Sequence, residues 1–123
     1  MSDRRPGRAP ALFDDAAFAE DLRRASDAGR EVAFVARKEF EGEGVPVKSL
    51  LACDEEGSDG TELRHCVKLR LPPPDAKFGM VFRIEQQVGR SVPVFAAFGT
   101  RHHPPEAKAP TVYEIAHHRL HSV

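Results

Sequence analysis

The chain is poor in the residues and runs that would assign it to a specialised class. It has only two cysteines, Cys53 and Cys66, and they lack CxxC spacing. Neither a zinc knuckle nor a disulfide framework is therefore indicated, and two reduced thiols are expected. No apolar run approaches the roughly eighteen residues of a membrane span, and no signal-peptide pattern opens the sequence, so a cytoplasmic protein with no membrane partner is expected. Neither sign of charge dominates. A formal net charge of -1 exerts no global pull on nucleic acid, so any basic surface must be local. No internal repeat marks a solenoid, and nothing marks a second domain. What remains is 123 residues, 41% hydrophobic and 30% charged, enough to bury one core without disulfides or metal.

The opening MSDRRPGRAP is polar and proline-punctuated and reads as a flexible tail over 1–10, followed by a single domain over 11–123. DDAAFAEDLRRASDAG has helical spacing in Phe18, Leu22 and Ala25. Asp14 or Asp15 is placed to cap it and Gly29 to end it. REVAFVARKEFEGEG fits helix or strand; its length and Gly42 and Gly44 favour a helix with Val32, Val35, Ala36 and Phe40 on one face. After VPVKSLLAC, the acidic CDEEGSDGTE reads as a solvated turn. The period then changes to two. In LRHCVKLRL, Leu63, His65, Val67, Leu69 and Leu71 share one side, while Arg64, Cys66, Lys68 and Arg70 share the other. FGMVFRI places Phe78, Met80, Phe82 and Ile84 opposite Gly79, Val81 and Arg83. VPVFAAFG is a third strand, giving an antiparallel meander. Thr111 and Glu114 have capping-box spacing ahead of a closing helix with a Val112, Ile115, Ala116, Leu120 stripe. The expected class is α+β: an N-terminal helical hairpin on a three- to four-stranded antiparallel sheet, with a short C-terminal helix.

Three chemistries are worth weighing. His117 and His121 stand four apart on a helix, a spacing that suits two imidazoles on one metal, with His102 and His103 nearby. No carboxylate sits at HExxH spacing, and simply exposed histidines are the plainer account, so no metal is assigned. Cys66 lies beside Arg64 and Lys68, which favours thiolate, but a small packed residue is the plainer account. No hydrolase triad is visible around Ser49 or Ser91. Lys68, Arg70, Arg83 and Arg101 come from neighbouring strands or their ends, and Tyr113 follows a proline-rich loop. Such a set suits an RNA backbone and the charge of a phosphorane-like transition state, although basic residues are also the ordinary solvent face of half-buried strands.

Two stretches carry a family likeness. VKLRL…FGMVFRI is similar to a "KIRL…YRVVYRI" pattern, and VFAAFGTRH…VYEIAHHRL is similar to "V…GKR…VY..A..RL". On these the chain resembles the RelE/ParE toxin superfamily, the small toxin half of bacterial toxin–antitoxin pairs. The resemblance covers roughly residues 11 to 120 in architecture, with its motifs in the second half. In the RelE branch it implies an endoribonuclease that cuts mRNA in the ribosomal A site, without metal or other cofactor, by attack of the ribose 2′-hydroxyl. Carried over, Arg101 and Arg70 would stabilise phosphate charge. Lys68 would contact phosphate or assist proton transfer, and Tyr113 would move a proton or stack. Arg64, Arg83, His102 and His117 would make the surrounding RNA contacts. The implied partners are a cognate antitoxin protein, the ribosome and mRNA. The ParE branch instead implies binding to DNA gyrase with no nuclease. The arginine that the family places early in the second strand falls on Gly79, with Arg83 on the same face. The loop from His102 to Pro110 is long, and only APALF is available for a first strand.

Overall fold

In a computed structural model, residues 7–53, 63–72, 74–102 and 110–121 are described. Asp14 caps the first helix, α1 (Asp15–Arg24), by accepting from the Ala17 N–H at 3.1 Å. Gly29 does not end it. The chain extends at Ala25, and Ser26 caps a second helix, α2 (Asp27–Gly42), accepting from the Gly29 N–H at 3.1 Å. A serine hydroxyl satisfies an orphan N–H, so the break falls at the cap and not at the glycine. Gly29 is used for packing instead, since a Cβ there would lie 3.3 Å from Phe78 Cε1. On α2 the buried side is Ala33, Ala36 and Phe40, while Val35, expected inward, is 64% exposed. Val35 instead lines, with Val32 and Ala36, an open cleft that Leu69 and Arg70 also line.

A two-residue strand β1 (Arg8–Ala9) pairs antiparallel with β2 (Val45–Pro46). Part of the segment read as a tail is thus strand, while residues 1–6 lie outside the described residues. After a 3-10 turn at Val47–Ser49 come β3 (Leu51–Ala52), β4 (Cys66–Arg70), β5 (Phe78–Gln87) and β6 (Arg90–Thr100). They form one antiparallel sheet in that order. The acidic segment at 54–62 lies outside the described residues. β5 and β6 are joined through Val88 and Gly89, both at positive φ, as the two-residue hairpin turns that match strand twist require.

The sheet is covered on both faces. The helical hairpin buries Leu69, Leu71, Phe78, Met80, Phe82, Phe95 and Phe98 against Phe18 and Phe40. A third helix, α3 (Val112–His121), lies on the other face, against Val81, Ala96 and Ala97. Two-sided burial is why β6 reads as nearly continuous apolar sequence. Each phenylalanine removed from water contributes about 1.5–3 kcal/mol, and this ring cluster dominates the core. One facing assignment changes. Leu63 packs with Cys66 on the α3 side and not with Leu69, because His65 takes a φ of 59° and breaks the alternation.

β6 is an edge strand, and outer backbone groups of its middle, at Pro93, Phe95, Ala96 and Phe98, are occupied. Leu12 donates to the Pro93 carbonyl at 3.0 Å and accepts from the Phe95 N–H at 2.8 Å. The Asp21 carboxylate, on α1, accepts from the Phe98 N–H at 2.9 Å. Arg119, on α3, donates to the Ala96 carbonyl and forks onto Asp21 at 2.8 and 3.0 Å. The two helices on opposite faces are therefore clasped around the sheet edge. The pair closes the edge as a further strand would.

Candidate functional site

The register of the sheet lays out the α3-side face in rows. Arg70 stands opposite Gly79, and Gly79 opposite Gly99. One pleat repeat away, about 7 Å, Lys68 faces Val81 and Val81 faces Ala97. In the next row Cys66 faces Arg83. Lys68, Arg70 and Arg83 thus share the face opposite the phenylalanine core.

The two glycines shape the first row. Gly99 lets the start of α3 sit on the sheet, with Val112 N and Cα each 3.6 Å from where a Cβ would be. At Gly79 a Cβ would lie 3.1 Å from Arg101 Cγ and 3.2 Å from the Leu69 carbonyl oxygen. The aliphatic stem of Arg101 therefore lies in the space a side chain at 79 would fill. The turn between β4 and β5 holds this arginine twice: its N–H donates to the Lys77 carbonyl at 2.9 Å, and Nη1 donates to the Ala76 carbonyl at 2.9 Å. Gly79, where the expected arginine is missing, is the position that admits Arg101.

Tyr113 is set by the helix start. Thr111 N–H donates to Glu114 Oε1 at 3.0 Å, and the Glu114 N–H donates to Thr111 Oγ1 at 3.3 Å, a reciprocal capping box. That fixes the first turn, and the half-buried Tyr113 ring lies 5.7 Å from Lys68 Nζ. A cation at this distance from an aromatic face is attracted to it. Arg70 is exposed at the free end of β4, beyond the reach of the two-residue β3. Lys68 with Tyr113, and the stem of Arg101 on Gly79, therefore share one face of the sheet, while Arg70 stands opposite Gly79 in register and also lines the cleft beside α2.

The other predicted residues lie elsewhere. Arg83 is at the opposite end of α3, paired with Glu85 and lining a hollow of about 240 Å³ with Arg64, His65, Ile84, Leu120 and His121. His117 lies between the two groups, its ring 4.5 Å from that of His121. His102 is exposed, directly after Arg101, and His103 lies outside the described residues. Among the described residues no group of three or more His, Cys, Asp or Glu is placed to hold a metal. Cys66 is buried, and burial pushes its thiol up from the ordinary value despite the Arg83 charge, which disfavours a thiolate nucleophile.

Sequence reasoning passed over the residues that hold α3 in place. Asp21 stands three after Phe18 on the buried side of α1, so an acid on an apolar stripe was the visible signal of a buried partner. Burial disfavours the Arg119 charge, but Asp21 and Glu20 outweigh it and hold the guanidinium above its ordinary pKa. Among the described residues no helix is long and apolar enough to cross a membrane. No protein-family description, curated protein or solved structure matches the chain.

Proposed function

We propose that the protein is a RelE-like toxin of a type II toxin–antitoxin pair, acting in the cytoplasm as an endoribonuclease on mRNA at the ribosome. The observation that supports this reading is the placement of Lys68, Tyr113 and the Arg101 stem on one face of the sheet, with Arg70 opposite Gly79 in register. In the proposed reaction the 2′-hydroxyl loses its proton and its oxygen bonds to the adjacent phosphorus. The bond to the 5′-oxygen breaks, leaving a 2′,3′-cyclic phosphate and a 5′-hydroxyl that takes up a proton. Arg101 and Arg70 stabilise the charge on the non-bridging oxygens. Lys68 binds the phosphate, and Tyr113 stacks a base or transfers a proton. Removing one such charge-stabilising donor costs about 10²–10³ in rate.

The test is induced expression in a bacterial host, with growth, translation and ribosome-dependent mRNA ends followed together. The native protein arrests growth and generates new mRNA ends, and Arg101→Ala does neither. Tyr113→Phe keeps the ring and loses the hydroxyl, so it separates stacking from proton transfer. Absence of arrest by the native protein, with both variants behaving identically, would sink this reading. A second reading, binding to a protein such as DNA gyrase without RNA chemistry, is favoured by an open cleft of about 710 Å³. Val32, Val35 and Ala36 of α2 line it together with Pro46 and Leu71. Arrest without new mRNA ends would select that reading.

A further inference from the structure

The second basic cluster lies apart from the groups placed at the reacting phosphate. Arg64 and His65 precede β4, Arg83 lies on β5, and His121 ends α3; Ile84 and Leu120 supply an apolar floor between them. The positive φ of His65, 59°, turns the chain there, and its carbonyl accepts from the Ile84 N–H at 2.8 Å, fixing the rim to β5. A hollow with two guanidinium groups, two imidazoles and a floor of aliphatic carbon matches a phosphate with its attached sugar. Among the described residues, two features oppose an anion. One is Glu85, which pairs with Arg83. The other is the carbonyl end of α3, equivalent to about half a negative charge. The Arg83–Glu85 pair is 41% and 37% exposed, so it is weak and exchanges readily for a better acceptor.

Resting on the reading above, we infer that this hollow is a second phosphate subsite, which holds single-stranded RNA beside the reacting phosphate bound at Lys68. The spacing supports it. The row of Arg83 is one pleat repeat from that of Lys68, about 7 Å, and Tyr113 to His121 spans about 12 Å of helix. Those separations bracket one to two nucleotide steps of an extended strand. His117 stands between the two groups, on the helix face that also carries His121.

The test is a ¹H–¹⁵N NMR titration of the full chain, first with inorganic phosphate and then with a 2′-deoxy trinucleotide that cannot be cleaved. Saturable shifts are expected at Arg83, Ile84, Leu120 and His121. Arg83→Met, which keeps the aliphatic stem, weakens phosphate binding there about tenfold, as loss of a charged hydrogen-bonding group does. Glu85→Gln removes the internal competitor and tightens binding, an effect of opposite sign that loss of folding cannot imitate. The trinucleotide shifts the hollow and Tyr113 together. Phosphate shifts confined to other residues, or equal affinities in all three proteins, overturn the subsite. Because the hollow is read on its own amides, its result is separate from RNA cleavage. Cleavage that depends on Arg101 with an inert hollow refutes the subsite alone. An occupied hollow without cleavage refutes the nuclease reading alone.

Discussion

The clasp between Asp21 and Arg119 sets the position of α3, and its strength follows from its surroundings. The Asp21 side chain is 1% exposed and that of Arg119 21%, and the fork between them has contacts of 2.8 and 3.0 Å. Removing one partner of a buried pair costs about 3–5 kcal/mol, because a charge is left without compensation. In Arg119→Ala, Asp21 keeps the Phe98 N–H at 2.9 Å and the Arg24 guanidinium at 3.2 Å. Those remaining partners place the expected loss near the lower end, about 3 kcal/mol. Asp21→Ala leaves Arg119 with Glu20 and the Ala96 carbonyl. A loss of about 2–3 kcal/mol is expected there. The double variant should recover part of the sum, with a coupling of about 1.5–2 kcal/mol. The exposed Arg8–Glu39 pair, with its glutamate 44% exposed, serves as control. It should couple by less than about 1 kcal/mol. The protein contains no tryptophan, so urea unfolding is followed by circular dichroism at constant m-value. Additive losses at Asp21 and Arg119, or a single loss below about 1 kcal/mol, would refute the idea that a buried pair fastens α3 to the sheet edge.

Two further outcomes follow from local geometry. In Gly79→Ala the new methyl meets Arg101 Cγ at 3.1 Å and the Leu69 carbonyl oxygen at 3.2 Å, so the arginine stem must shift. RNA cleavage should fall about 10- to 100-fold through mispositioning, and unchanged cleavage would show that the stem's seat on Gly79 is immaterial. Cys66 should react with thiol reagents far more slowly in the folded protein than in urea. Burial raises its folded pKa, so the stability it contributes is complete below the unfolded thiol's pKa and lost as pH rises through the folded value. Cys66→Ala should flatten that alkaline loss in urea titrations, and an unaltered pH profile would count against it.

Much of the fold was legible because it rests on local rules. Asp14 before an apolar stripe, the Thr111–Glu114 capping box and the two-residue alternation of FGMVFRI are each satisfied within a few residues, and each appears in the structure. Where a local signal had a competitor, the reading went astray. Gly29 lost to the Ser26 cap, and Leu63 changed face because His65 adopts a positive φ. Val35, expected inward, lies exposed on the rim of an open cleft that Ala36 also lines.

The candidate site divides in the same way. Strand parity alone placed Lys68, Arg70 and Arg83 on one face, since successive side chains on a strand must alternate. Only the tertiary structure decided which of them meet. Pairing across β4, β5 and β6 put Arg70 opposite Gly79 and sent Arg83 to a different hollow. It also gave Gly79 a use, as room for an arginine that follows it by twenty-two positions. The same holds for Asp21 and Arg119, at opposite ends of the chain, which come together only once helices cover both faces of one edge strand. Hydrogen-bonding periodicity and capping act over a few residues and are written locally, whereas cross-strand neighbours and buried charge partners exist only after the chain has closed on itself.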